Sequence, residues 1–188
     1  MIFAFVPSTF EMCQLWVNLP KKDKLTAPTY QPIVNKDIPI VKLPLGGGEE
    51  DLGHVRVIAG SLGDTSGAAT TFSPVELWDV ILPQKGKDVD LPFPADQNCI
   101  IFVRDGGVDM ISDNGKKVET VGPQSVALMH MNSGDVLRLR PVQKDTKVLI
   151  MGGKMLNEPI ANRGPFVMNT QEELVQAQRD YYSGNLGR

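Results

Sequence analysis

The chain of 188 residues is poor in the side chains that most metal and nucleophilic sites require. It contains two histidines, His54 and His130, and two cysteines, Cys13 and Cys99. A site of three histidines is therefore excluded within one copy of the chain. No Cys-x-x-Cys pair and no ladder of disulfide spacings occurs, which argues against a disulfide-stapled fold. Both cysteines lie in apolar runs, so we expect buried free thiols in a reducing compartment.

Long hydrophobic runs and a strong excess of one charge are also missing. The formal net charge is −3, which gives the chain no overall attraction to nucleic acid or anionic lipid. No apolar run is long enough to span a bilayer. The first residues, MIFAFVPSTFEM, are apolar but lack a basic segment and a small-residue cleavage site. We therefore predict no signal peptide, no direct nucleic-acid binding, no membrane partner, and a cytoplasmic or nuclear location.

Glycine (18) and proline (14) are abundant, and their number favours turns over long helices. Short strand patterns follow one another without helices between them. The predicted strands are Val55–Ala59, Val75–Leu82, Cys99–Arg104, Val108–Ser112, Ser125–Met129, Val136–Arg140 and Lys147–Met151. Asp-Asn-Gly at 113–115 and Ser-Gly-Asp at 133–135 are typical of turns. This pattern predicts an all-β fold, an antiparallel sandwich or barrel.

The segment before these strands has a different character. Residues 14–19, QLWVNL, alternate between polar and apolar side chains and predict a strand that ends at Pro20. Residues 20–39 contain four prolines among polar side chains, so we expect an extended connector. Residues 46–53 are rich in glycine and predict a surface loop.

The C-terminal segment carries strong helix signals. Thr170 can cap a helix, with Glu173 three residues later completing a capping box, and Gly184 suits the C-terminal end. One helix face would carry Leu174, Ala177, Gln178 and Tyr181.

The residues before that helix, GPFVMN at 164–169, predict an apolar docking strand. Pro165 fixes its entry, and the strand needs a surface to cover its side chains. The predicted interaction residues are Leu15, Trp16, Phe166, Val167 and Met168.

Four stretches resemble the pirin family in order and spacing: QLWVNLPKKDK, VRVIAG, GGKMLNEPI and GPFVMNTQEEL. The resemblance implies tandem cupin domains, each a double-stranded β-helix of antiparallel strands. In full-length pirins the first cupin binds iron through three histidines and a glutamate. The family's activities are a quercetin 2,3-dioxygenase reaction and iron-dependent co-regulation of transcription in the nucleus.

The resemblance also suggests a division of this chain. It makes residues 1–37 a remnant of the N-terminal cupin with a linker, and residues 38–160 the C-terminal cupin. Residues 161–188 would be the docking strand and C-terminal helix. Glu11 lies too close to Trp16 to replace the glutamate of the family's iron site.

The cupin ligand pattern, Gly-x5-His-x-His followed by a glutamate and a later histidine, can be placed on this chain from Gly86. Pro92 and Pro94 then take the first two histidine positions, Cys99 lies near the glutamate position, and Leu137 near the last. None of these replaces the family's iron ligands. We therefore expect no metal, no cofactor and no catalytic residue. We expect His130 at a strand end, hydrogen-bonded or partly exposed, and His54 in solvent.

Three interpretations remain open. The preferred one is a non-catalytic interaction or regulatory protein that forms an isologous dimer through residues 14–18 and 164–169, or binds another protein there. The second is a pirin-type dioxygenase or transcription co-regulator that obtains its metal from a dimer or from upstream sequence. The third is a shortened gene model, in which MIFAFVPSTF would be intron or shifted frame.

Overall fold

The computed structural model describes residues 11–186 of the chain. Its strands and its one α-helix are β1 (Ile40–Leu43), β2 (Gly53–Ala59), β3 (Ser61–Leu62), β4 (Thr65–Ser66), β5 (Val75–Leu82), β6 (Val89–Pro92), β7 (Gln97–Asp105), β8 (Val108–Ile111), β9 (Lys117–Val121), β10 (Ser125–Met129), β11 (Val136–Pro141), β12 (Thr146–Lys154), β13 (Ala161–Arg163), β14 (Phe166–Met168) and α1 (Gln171–Tyr182).

Two antiparallel sheets form the body of the protein. The larger has six strands in the order β1-β2-β5-β12-β7-β10, and the smaller has four in the order β6-β11-β8-β9. Their inner faces enclose one apolar core. The prediction of an all-β antiparallel sandwich or barrel is confirmed.

Alternation along the strands explains this core. In β11, Leu137 and Leu139 point inward while Arg138 and Arg140 point outward. Within the core, the indole of Trp78 is fully buried and meets Phe93 edge to face, with ring centroids 5.4 Å apart. Each such large apolar side chain contributes roughly 1.5–3 kcal/mol through its burial.

Every strand predicted between residues 55 and 151 is present, and Val75–Leu82 and Ser125–Met129 have the predicted bounds. The turn at 113–115 joins β8 to β9, and the turn at 133–135 precedes β11. Sequence reasoning missed β1, β3, β4, β6, β9 and β13. All of these are short, β6 ends in a proline, and β9 is exposed along most of its length.

The strand predicted over residues 14–19 is wrong. These residues form no ladder with any strand between residues 11 and 186, and most of their side chains are exposed. Alternation shows which side chains could share a face, but a strand also requires a neighbour to pair with. Cys13 directly precedes this segment and is exposed, so the prediction of a buried thiol is confirmed for Cys99 and wrong for Cys13.

The connector prediction is confirmed, because residues 20–39 contain only two short 3-10 turns, Lys21–Asp23 and Asn35–Asp37.

The C-terminal helix is confirmed together with its cap. Thr170 Oγ1 accepts a hydrogen bond from Glu173 N at 3.2 Å, and Glu173 Oε2 accepts from Thr170 N at 3.0 Å. A second backbone donor, the N–H of Asn169, lies 2.9 Å from the same carboxylate and is the main reason that the pKa of Glu173 is lowered. Leu174 and Ala177 are the buried residues of this helix.

Gly152 fixes how closely the two sheets approach at one end of the core. A Cβ added there would collide with the ring of Phe93 and lie 2.7 Å from the carbonyl oxygen of Asn98. Only a glycine allows the Phe93 ring to reach its position beside Trp78.

We expect Gly152→Ala to lower the free energy of unfolding by about 1–3 kcal/mol, because overpacking forces a core ring from its position. Urea unfolding followed by tryptophan fluorescence measures this loss. Gly122→Ala is the matched control, since its Cβ would meet no atom within 4 Å and its φ is not positive. If both variants lose the same free energy of unfolding, the close approach of Phe93 to Gly152 has no special role in stability.

Candidate functional site

A cavity of about 220 Å³ opens between the two sheets at one end of the barrel. Pro94, Cys99 and Leu137, three of the positions to which the cupin ligand pattern was matched, line this cavity. Pro92 is exposed and lies outside the lining. The pattern therefore located the mouth of the barrel, although the residues at its positions are not those of an iron site. We call this space the mouth cavity.

The walls of the mouth cavity carry sulfur and apolar groups. Burial raises the pKa of the Cys99 thiol to about 12, so this group stays protonated and uncharged near neutral pH. Met129 stands opposite Cys99 in the ladder between β10 and β7. Phe93, Met110 and Leu137 complete the apolar part of the wall.

The two histidines do not converge on the mouth cavity. His130 is exposed at its rim, as expected for the end of a strand. His54 lies in β2 and lines a different depression, beside Lys42 and Glu50. The prediction that His54 is exposed is wrong, because β1 and β5 flank its strand and leave it half-buried.

The residues present do not fit the iron that the family resemblance implies. Non-haem iron sites use imidazole and carboxylate ligands that converge on one point. Between residues 11 and 186 no three His, Cys, Asp or Glu side chains are grouped closely enough to hold a metal ion. The mouth cavity offers one rim imidazole, the exposed rim carboxylate of Asp113 and a protonated thiol instead.

Gln97 is the residue of the mouth cavity that sequence reasoning missed. Its side chain lines the cavity and is only 7% exposed, and its Oε1 accepts no hydrogen bond from the described residues. A buried polar group without a partner costs about 1–3 kcal/mol. The predicted strand begins at Cys99, whereas β7 begins at Gln97, so the sequence pattern did not include this residue.

The outer face of the six-stranded sheet is the second candidate site. Cross-strand pairing places one row of apolar side chains across four strands. This row consists of Leu77, Met151, Ile100 and Leu128. Beside it runs a second row of Asp79, Leu149, Phe102 and Val126. The rows end in open solvent, since the side chain of Leu128 is 73% exposed.

An elongated groove of about 730 Å³ lies over the first of these rows. Leu77, Ile100 and Met151 line it from below, and residues 155–158 and 160 form one wall. The segment Leu15–Val17 contributes further apolar side chains, and Trp16 is 72% exposed beside the groove. We call this the outer groove.

The structure separates the predicted interaction residues into two groups. Leu15 and Trp16 line the outer groove, whereas Phe166, Val167 and Met168 do not. The latter three are half-buried in β14, which pairs with β13 in a hairpin.

The hairpin and helix α1 provide much of the cover that this apolar strand was predicted to need. Phe166 packs edge to face against Tyr181 of the helix, with centroids 5.8 Å apart.

One lysine links the two groups. Lys24 Nζ donates hydrogen bonds to Asn18 Oδ1 at 2.7 Å and to the carbonyl oxygen of Val167 at 3.2 Å. Partial burial between these segments lowers the pKa of Lys24, although Glu158 and Glu173 oppose the shift.

A cluster of charges borders the second row. Asp79 is 6% exposed, and its carboxylate binds Arg56 Nη1 at 2.9 Å and Arg104 Nη1 at 2.5 Å. Arg104 also binds Glu11 through two nitrogens, at 2.8 Å each, and the bond to Glu11 is the main cause of its raised pKa. The buried carboxylate of Asp79 is thus paired with two arginines.

Comparison with known proteins now places the chain. The family model of the pirin C-terminal cupin domain matches residues 77–187, more than half of the chain. The chain belongs to the pirin family.

Its relatives cover almost the whole of it. A Pseudomonas aeruginosa protein named "Putative quercetin 2,3-dioxygenase" is 40% identical over 99% of this chain and 60% of its own length. Mouse pirin is 32% identical over 93% of this chain and 56% of its own length. The chain therefore spans about 60% of the length of these curated pirin relatives.

Solved structures agree on the fold. A crystal structure of a quercetin 2,3-dioxygenase from Acinetobacter baumannii is 40% identical, with a TM-score of 0.77 over 92% of this chain and 55% of that one. The two facing sheets are accordingly a cupin fold, as the resemblance implied. Among residues 11–186, no helix combines the length and apolar character needed to cross a bilayer.

We expect Asp79→Asn to lower the free energy of unfolding by about 2 kcal/mol, because both arginines lose a buried charged partner. Chemical denaturation of the purified chain measures this loss. The control is Asp90→Asn, whose carboxylate pairs with Arg138 at an exposed position and should contribute less than about 1 kcal/mol. A loss at Asp79 no larger than at Asp90 would show that the cluster adds nothing to stability.

Proposed function

We propose that this part of a pirin-family protein is a non-catalytic interaction module that binds a second copy of itself through the outer groove. The observation that carries the proposal is the outer face, where apolar rows reach solvent beside an exposed tryptophan. The side chains of the mouth cavity support the part of the proposal that excludes catalysis. Proline, cysteine and leucine lie there at positions where the cupin pattern has its iron ligands.

The outer face has the character of a binding surface. Contiguous apolar patches on soluble proteins commonly mark interaction sites. Val126 and Leu128 add exposed apolar surface at the edge strand β10, beyond the outer groove itself. The paired state of Asp79 means that covering this face would not leave an isolated carboxylate in a dry interface.

A second copy is the favoured occupant because the same face carries both a projection and a depression. Trp16 projects beside the outer groove, which is lined by apolar side chains. In an isologous dimer, the Trp16 of each copy can enter the groove of the other. Tryptophan is also the residue type most enriched among the energetic centres of interfaces.

The oligomeric state tests this partner. We expect a dimer by sedimentation velocity between 1 and 100 µM, and we expect Trp16→Ala to raise its dissociation constant at least about tenfold. Tyr30→Ala is the control, since Tyr30 is exposed and does not line the outer groove. A monomer throughout this range would exclude the second copy as partner, and equal effects of both substitutions would exclude the groove.

The names of the relatives favour a second candidate function. A quercetin 2,3-dioxygenase reaction by a longer protein containing this chain would need iron ligands outside residues 11–186.

Metal analysis separates the two functions without depending on oligomeric state. We expect the purified chain, loaded with Fe²⁺ anaerobically and then desalted, to retain less than about a tenth of an equivalent of iron. It should also consume no oxygen in the presence of quercetin. One equivalent of retained iron, or oxygen consumption above that of free Fe²⁺, would overturn the non-catalytic proposal.

A further inference from the structure

We propose that the mouth cavity is a binding site for one soft monovalent metal ion, Cu⁺ under reducing conditions, held by the sulfur atoms of Cys99, Met110 and Met129. This site uses sulfur in place of the imidazole and carboxylate ligands of an iron site. It is separate from the outer groove, and it depends neither on dimerisation nor on the absence of iron.

Three sulfur-containing side chains share one small cavity. Cys99, Met110 and Met129 all line the mouth cavity, whose volume is about 220 Å³. Cys99 and Met129 are direct partners in the ladder between β7 and β10, and the Cβ atoms of such partners lie about 4.5–5.5 Å apart on one face of the sheet. Met110 reaches the cavity from β8 in the facing sheet. The two sheets therefore bring sulfur to the cavity from both sides.

The three side chains combine a fixed wall with adaptable ends. Cys99 is 5% exposed and Met110 is 8% exposed, so both belong to the packed lining, and Met129 packs beside them half-buried. Methionine has three rotatable bonds and a polarisable thioether. Its sulfur can therefore move onto an ion while the backbone of the two sheets stays in place.

The ligand set selects the class of metal. Thiolate and thioether ligands are soft and select ions such as Cu⁺, whereas hard cations require oxygen ligands. The apolar side chains of Phe93 and Leu137 complete the wall around the sulfur atoms. A shell of this kind limits the access of water to a bound ion. The features that make the cavity unsuitable for iron thus favour a soft ion.

The balance of charge selects a monovalent ion. On binding, the S–H bond of Cys99 breaks, a sulfur–metal bond forms, and the proton leaves to solvent. One monovalent ion with one thiolate and two uncharged thioethers carries no net charge. A divalent ion would leave an unpaired positive charge in a buried site, which is costly. Arg138 at the rim offers no compensation for either ion, because Asp90 already holds its guanidinium through two bonds of 2.6 Å each.

The exchange of a proton for the ion makes binding depend on pH. Burial raises the pKa of the Cys99 thiol to about 12, so the thiol is protonated throughout the neutral range. Each bound ion must then displace one proton, and the apparent association constant should rise about tenfold for each pH unit between about pH 6 and 8. An ion held by methionine sulfur alone would show no such slope.

The test uses the Cys13→Ser chain, because Cys13 is an exposed thiol outside the cavity that can bind soft metals by itself. The protein is loaded with Cu⁺ anaerobically and desalted. We expect it to retain one equivalent of copper, and a tenfold excess of Zn²⁺ should not displace it. X-ray absorption at the copper edge should show a first shell of sulfur alone. Competition with bicinchoninate, followed by absorbance, measures the association constant and its pH dependence.

Matched variants connect the ion to the proposed ligands. Met110→Leu and Met129→Leu keep the volume of the side chain and should leave the chain folded. Each should lower the affinity for Cu⁺ at least about tenfold, because a soft ligand is lost. Met155→Leu makes the same chemical change in the outer groove, away from the mouth cavity, and should leave the affinity unchanged.

Four results would overturn the proposal. They are retention of less than about a tenth of an equivalent of copper, a first shell that contains nitrogen, an affinity independent of pH, and unchanged affinity in both folded methionine variants. A nitrogen ligand would point to His130 at the rim instead of the three sulfur atoms. The first three results leave all the proposed ligands in place, so they decide the question even if the methionine variants fail to fold.

Discussion

The contact between the two inner faces around Trp78 and Phe93 is the constraint on which the other features depend. Their rings meet edge to face, and Gly152 supplies the space that this contact needs. The ring of Phe93 also lines the mouth cavity, which residues of β7, β8 and β11 enclose beside this contact. The position of Gln97 is a consequence, since it lies on β7 just beyond the packed layer.

The central strands of the six-stranded sheet contribute side chains both to the core and to the outer face. In β5, Trp78 and Val80 point into the core while Leu77 and Asp79 point to the outer face. Antiparallel sheets usually carry polar side chains on the face away from the core. Here that face carries leucine, isoleucine, methionine and phenylalanine, with the charge of Asp79 enclosed by two arginines. An outer face built in this way supports the proposed contact with a second copy.

Sequence periodicity predicted the body of the fold because the β-strands of the core obey it. Strand β5 combines β-branched residues with turn signals at both ends, and its bounds were found without error. The capping box of Thr170 and Glu173 likewise depends only on local spacing. Strand β9 could not be found in this way, because its exposed side chains carry little apolar pattern. The domain boundaries at residues 37 and 160 remain predictions.

The candidate sites were less accessible to sequence reasoning. The cupin ligand pattern pointed to Pro94, Cys99 and Leu137, and these residues do line one cavity. The pattern succeeded because it reflects spacings along paired strands. Gln97 could not be recognised, since the absence of a hydrogen-bond partner is a property of the folded surroundings. The alternation of residues 14–19 was misleading for a similar reason. Alternation shows only that an extended segment has one apolar side. In this protein that segment lies along the outer groove and pairs with no strand among residues 11–186.

The outer groove has walls that come from distant parts of the chain. Residues 15–18 form one wall and residues 155–158 and 160 contribute to the other. Glu158 accepts a hydrogen bond from the backbone N–H of Lys21 at 2.7 Å, and Lys24 joins Asn18 to Val167. The outer groove is therefore formed by segments that lie far apart in the sequence. A peptide copied from either segment would lack the opposite wall, and an antibody raised against such a peptide would not report on the assembled surface.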